Sequence, residues 1–184
     1  TQNWMAENLK VTKYRNGDNI THITTNSNSD WTNDTDGAYG YYNDNTTLRD
    51  TYGMVYNWYA VDNSSSRYIC PEGWHLPTAD EYNVLSTYLG GNTVAGGKMK
   101  ETGTDHWQSE QAGTSNSSGF TARGAGYRHK NGTYGFLNQT FVFWTVSYAS
   151  NSTAHYRAGS SHTGTLTVNS INKEYGFSVR CLED

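Results

Sequence analysis

The chain has 184 residues, enough for one domain with a real core, and its 34% hydrophobic content leans on 15 Tyr, 6 Trp and 5 Phe. Its formal net charge is −4, with 13 Lys plus Arg spread thinly, so no basic stripe exists to neutralise a phosphate backbone and nucleic acid is excluded as a partner. No apolar run approaches membrane-spanning length, and the lack of a signal peptide at the first residues is read as trimming of an exported protein.

Residues 1–11 read as an opening strand of alternating character. Residues 16–50 are polar and turn-rich, punctuated by Asn16-Gly17-Asp18 and Asp36-Gly37, with a short tyrosine-rich piece over 38–43. The aromatic run from Tyr52 to Val61 is expected to be buried, as a strand or a short helix. The sharpest local signal is Cys70-Pro71-Glu72-Gly73-Trp74-His75-Leu76-Pro77-Thr78. Thr78 and Glu81 stand at capping-box spacing, so a helix is predicted over 79–89, with Tyr82, Leu85 and Leu89 on one face and Gly90-Gly91 as its stop. A second, shorter helix is expected over 94–100, weakened by Gly96-Gly97. Strands are predicted over 120–127, 134–137, 141–146, 154–157, 166–168 and 177–181. With no internal repeat and no linker, the pattern predicts a single α+β domain over 1–184, with antiparallel strands and one or two helices.

Cys70 and Cys181 either close a loop of about 110 residues or remain two buried thiols. A bridge there would stabilise the fold by at most roughly 4–5 kcal/mol in the chain-entropy model. An even cysteine count in a chain this rich in Tyr, Asn and Thr fits an oxidising compartment.

The most informative stretch is 145–172, between the aromatic flank Phe143-Trp144-Thr145 and the regular run Tyr175 to Cys181. It contains only Thr, Val, Ser, Tyr, Ala, Asn, His, Arg, Gly, Leu and Ile. Lys, Glu, Gln, Met and Trp are absent, although they make up about one residue in six before it. Those five are among the residues that mutation of the adenines in an asparagine codon cannot reach. One reading is therefore a surface diversified by adenine-directed mutagenesis; the other is a Ser/Thr-rich set of outer strands and loops.

Several segments resemble the Fibrobacter succinogenes major paralogous domain family of bacterial surface and secreted proteins. They are the stretches Trp4 to Lys10, Tyr52 to Val61, Cys70 to Thr78, Gly119 to Ala122, Gly126-Tyr127-Arg128, Phe143-Trp144-Thr145 and Gly176 to Cys181. The resemblance implies a C-type-lectin-like fold of the formylglycine-generating-enzyme branch. It also implies kinship with the variable proteins of diversity-generating retroelements in bacteria and their phages. In those, the diversified segment lies just before the final strand, which here is 145–172.

Catalysis finds little support. Cys70 and Cys181 sit at scaffold positions rather than as a reactive pair, and no nucleophile elbow or zinc-protease helix motif is present. His22, His75, His106, His129, His155 and His162 have no ligand-like spacing. The Thr32 to Gly37 stretch resembles half of a calcium loop but fails at its first and twelfth positions, leaving oxygens near Asp30, Asp34 and Asp36 as the only calcium candidates. The sequons at Asn45 and Asn151 are expected from composition alone.

The sequence thus predicts a non-enzymatic domain of a cell surface, extracellular space or phage particle, binding a protein or glycan ligand through 145–172. The expected contact residues are Tyr148, Ser150, Asn151, Thr153, His155, Arg157, Ser160, Ser161, His162, Thr163, Thr167 and Ser170, with Tyr148, Tyr156 and Arg157 suited to anchoring. A fixed-specificity polysaccharide-binding adhesion module is the second expectation, and it calls for an aromatic strip near Trp31 and Trp107.

Overall fold

Side-chain caps, rather than hydrophobic periods, start two of the three short helices of the first half. The computed structural model describes residues 1–111 and 113–184. In chain order the elements are β1 (Thr21–His22), α1 (Asn28–Asn33), β2 (Ala38–Gly40), α2 (Thr46–Tyr52), β3 (Val55–Tyr56), α3 (Trp58–Val61), β4 (Trp74–His75), α4 (Ala79–Tyr88) and α5 (Asn92–Met99). Then follow β5 (Ala125–Arg128), β6 (Tyr134–Leu137), β7 (Thr140–Tyr148), β8 (Thr153–Ser160), β9 (Thr167–Asn172) and β10 (Leu182–Glu183). The architecture is α+β, but five α-helices among the described residues correct the expectation of one or two. α1 and α2 are unforeseen in the sequence, and α3 falls in the 52–61 run expected as a strand or a short helix; the three run only 6, 7 and 4 residues, too short to display a 3.6-residue period. Asn45 starts α2 by accepting from the N–H groups of Thr47 and Leu48, and Asn57 starts α3 by accepting from Ala60. α4 carries the predicted capping box: Thr78 Oγ1 accepts from Glu81 N at 3.1 Å, and Glu81 Oε2 accepts from Thr78 N at 2.7 Å.

The strands are antiparallel except for β1, which pairs parallel with β2. The expected opening strand reduces to a single bridge, Trp4 to Leu182. The expected final strand over 177–181 is also irregular, because its residues bond a different strand at each step. Phe177 exchanges both backbone bonds with Tyr56 of β3, and Gly176 does the same with Arg128 of β5. Ser178 bonds Val142 and Trp144 of β7. Gly176 is required there: a Cβ would sit 2.7 Å from the Trp31 ring and 2.9 Å from the Arg128 side chain.

Strand β7 divides the interior. Val142 and Trp144 face one cluster, with Tyr56, Trp58, Ala154, Phe177 and Val179. Phe141 and Phe143 face a second, with Tyr82, Leu85, Met99, Trp107 and Phe120 from the helical side. Burial on both faces explains why Phe141 to Trp144 is an unbroken apolar run rather than an alternating one. The Cys70–Cys181 disulfide is formed, with Cα atoms 6.0 Å apart, and pins the end of the chain beside β4.

Candidate ligand-binding face

The outer sheet runs β7-β8-β9 with antiparallel pairing, and the register decides where each expected contact residue points. Even-numbered residues of β8 share a face with Trp144 and the first core cluster: Ala154 opposite Ile171, Tyr156 opposite Asn169, Ala158 opposite Thr167. After the β7 irregularity Tyr148 pairs with Ala154 and joins that face. Odd-numbered residues point the other way, towards α4, with His155 paired to Ser170 and Arg157 to Val168. The twelve expected residues therefore do not form one patch. Tyr148 and Thr167 lie on one face, and His155, Ser170 and Thr153 on the other. Ser150 and Asn151 lie in the β7–β8 turn, while Ser160 ends β8 and Ser161, His162 and Thr163 follow it, some 25 Å away along the strand (8 residues at about 3.3 Å each).

Exposure sorts them further. Tyr148, Ser150, Asn151, His162, Thr163 and Thr167 are exposed, and Thr153, His155, Ser160 and Ser170 are half-buried. Two expectations are corrected. Arg157 is buried, its guanidinium bonding Ala79 O at 2.8 Å and Asn83 Oδ1 at 3.1 Å on α4, so it ties the sheet to the helix and is shielded from any ligand. Ser161 is buried as well, accepting from Gln108 Nε2 at 3.2 Å while its N–H bonds Gln139 O.

The loops around this sheet are held by specific bonds. Ser150 Oγ accepts from the N–H groups of Ser152 and Thr153, closing the β7–β8 turn. The buried Lys100 Nζ donates to Ser160 O at 2.8 Å and Thr163 O at 3.0 Å, gripping the β8–β9 connection from α5. Tyr148, though 61% exposed, packs edge-on to Trp58 at 5.9 Å, and the Lys173 ammonium lies 4.0 Å from the Trp58 ring and 4.9 Å from the Tyr148 ring. Desolvation lowers the pKa of both lysines.

Trp31 and Trp107 make no surface strip. Both are core residues, with Trp31 Nε1 donating to Glu174 O and Trp107 Nε1 to Ala122 O. A different aromatic surface, unforeseen in the sequence, adjoins the even face. Tyr127 stacks on Phe136 at 5.1 Å with 9° between planes and touches His129 at 4.9 Å and Tyr175 at 6.2 Å. Tyr127, Tyr156 and Tyr175 all lean on the buried Phe177, at 5.7, 5.4 and 5.8 Å. Phe136 is exposed and the other four outer rings are half-buried. The signal available was the tripeptide Tyr-Gly-Phe, which occurs at 134–136 and again at 175–177 with opposite outcomes: Phe177 is inside, Phe136 outside.

Among the described residues no group of three or more His, Cys, Asp or Glu converges to hold a metal. At the calcium candidate, Asp34 Oδ1 instead accepts from Gly37 N and Asn57 Nδ2. The nearest approach to an acid–base pair is His106 Nδ1 to Glu101 Oε2 at 2.6 Å, with Arg123 Nε on the other carboxylate oxygen at 3.1 Å. No helix of the described residues is long and apolar enough to cross a membrane.

The model of the Fibrobacter succinogenes major domain matches residues 1–183, and the chain belongs to that family. No curated protein and no solved structure matches it.

Proposed function

Starting from that membership, we propose that this is a non-enzymatic ligand-binding domain with a C-type-lectin-like fold, working outside the cell as a diversity-generating-retroelement variable protein. It recognises a protein or glycan on another surface through the exposed side chains of 145–172. One observation carries the reading. The only formally charged residue in that stretch, Arg157, is buried, so the stretch presents an uncharged surface of Tyr, Asn, Ser, Thr and His on a braced sheet. Rigid support with adaptable polar and tyrosine contacts is what a paratope-like surface requires.

The test is to sequence this locus in many independent isolates. Adenine-confined variation is expected at Tyr148, Asn151, His162, Thr163, Thr167 and Asn169. The buried Ala154, Arg157, Ser161 and Leu166 are expected to stay fixed, because their replacement would open the core. Uniform drift across 145–172 would defeat the reading. The second reading, a fixed-specificity polysaccharide-binding adhesion module, is favoured by the aromatic surface around the exposed Phe136, which lies mainly outside the stretch.

A further inference from the structure

We propose that Tyr127, His129, Phe136, Tyr156 and Tyr175 form a stacking platform for the pyranose faces of an uncharged polysaccharide. The assignment rests on the polysaccharide-binding reading above, and it names the ligand chemistry of this aromatic surface.

Three observations point there. The first is the shape. The rings of Tyr127, His129, Phe136 and Tyr175 stand 4.9–6.2 Å apart, which is contact distance, so no slot between them admits a partner's side chain or a caged cation, and Tyr156 reaches the group through Phe177. Tyr127 and Phe136 are near parallel at 9°, while His129 and Tyr175 tilt by 45–55° to Tyr127, a twisted row that suits successive sugar rings with C–H groups on one side. The second is the charge. None of the five rings, nor the adjoining Ala158, Thr167, Asn169 and Ile171, bears a formal charge with His neutral. Stacked single-stranded nucleic acid needs a basic groove beside its rings; here the flanking lysines are Lys130 and Lys173, and Lys173 is buried against Trp58. Hydroxyl-rich neutral chains need no such groove, and the tyrosine hydroxyls, His129 and Asn169 offer them hydrogen bonds.

The third observation is strain. Phe136 has φ +63°, a left-handed backbone that costs a bulky residue about 1–3 kcal/mol, yet its ring is 46% exposed. A residue chosen for stability at that position would be Gly or Asn. The ring is held in an unfavourable conformation so that it lies against Tyr127 at the surface, which is the arrangement a ligand contact requires.

The experiment is native affinity electrophoresis through hydroxyethylcellulose, arabinoxylan, mixed-linkage glucan and galactomannan, with polygalacturonate and heparin as anionic controls. Retardation by at least one neutral polymer and by neither anionic one is expected. Phe136→Gly is expected to weaken binding roughly tenfold or more, while its melting temperature stays equal or rises as strain is relieved. Phe136→Trp is expected to retain binding. Absence of retardation by every neutral polymer, or full binding by Phe136→Gly, overturns the platform. Binding lost in Asn151→Ala or His162→Ala but kept in Phe136→Gly would overturn it too, while leaving the 145–172 surface as the recognition face.

Discussion

Among the described residues three arginines are buried, Arg128, Arg157 and Arg180, and their guanidinium groups donate to carbonyl and amide oxygens. Arg180 donates to Asn8 Oδ1 and to the carbonyls of Met5, Phe120 and Thr121, so one guanidinium ties the opening segment, the 120–121 turn and the final segment together. Arg128 likewise bonds the carbonyls of Ile23, Thr24 and Gly132 and lies 4.2 Å over Trp31. Burial pulls the Arg180 pKa down to about 10, which still leaves it protonated at neutral pH. A planar fork with five donors reaches the four acceptors around Arg180 at fixed angles, whereas an ammonium offers three donors from a single point. Arg180→Lys is therefore expected to cost about 2–4 kcal/mol in urea unfolding; a loss under about 1 kcal/mol would show the fork to be dispensable. His75 supplies the pH dependence at this scale. Burial pulls its pKa down, but hydrogen bonds to Asp184 at 2.7 Å and Glu81 at 2.9 Å outweigh that and raise it above the usual histidine value. Glu81 is opposed by burial too, yet its bonds to Thr78 and His75 hold it below the usual carboxylate value. A raised base contributes stability fully below its unfolded pKa and loses it as pH climbs through the folded one. A lowered acid contributes above its unfolded pKa and loses it as pH falls through the folded one. The melting temperature is expected to be highest between about pH 4.5 and 6.5, falling on both sides. His75→Gln is expected to flatten the alkaline fall, and an unchanged profile in that variant would assign the fall to other groups.

The element most exposed to misuse is β9, the free edge of the outer sheet. Lys173 N bonds Ser152 O and Leu166 N bonds Asn92 O, so odd-numbered N–H groups face β8 while those of Val168 and Ser170 face outward. The edge has no Lys or Pro, the usual deterrents to pairing with another chain. Asn169 supplies a substitute: its Oδ1 accepts from Ser170 N at 2.8 Å, occupying the central outward donor. Asn169→Val removes that block and adds a β-branched residue to an already β-prone edge. Sedimentation velocity is expected to show concentration-dependent association of this variant beyond the parent. Identical sedimentation at every concentration would show that the edge is protected by something else. Asn45 illustrates the same economy of side chains, since its sequon amide group doubles as the helix cap of α2.

How much of this was legible follows from the range of each interaction. The capping box at Thr78, the helix it starts and the strand over 134–137 depend on neighbours within a few residues, and the sequence displays them. The inward turn of Arg157 depends on Ala79 and Asn83, more than seventy residues away, and nothing local separates it from a contact residue. The aromatic platform joins strands from 127 to 177 through a segment that no periodicity marks as a hub. At the scale of the molecule, one covalent link fixes that segment. The Cys70–Cys181 bridge spans 111 residues and holds the final segment against β4, so that Gly176, Phe177 and Ser178 can each bond a different strand. Removing it with the paired change Cys70→Ala and Cys181→Ala is expected to lower unfolding free energy by about 4–5 kcal/mol. If the final segment is the hub, hydrogen exchange at Phe177 and Ser178 should quicken in step with global unfolding. Faster exchange confined to residues 179–184, with Phe177 still protected to the global limit, would mean the bridge secures only the chain end while the hub holds by its own hydrogen bonds.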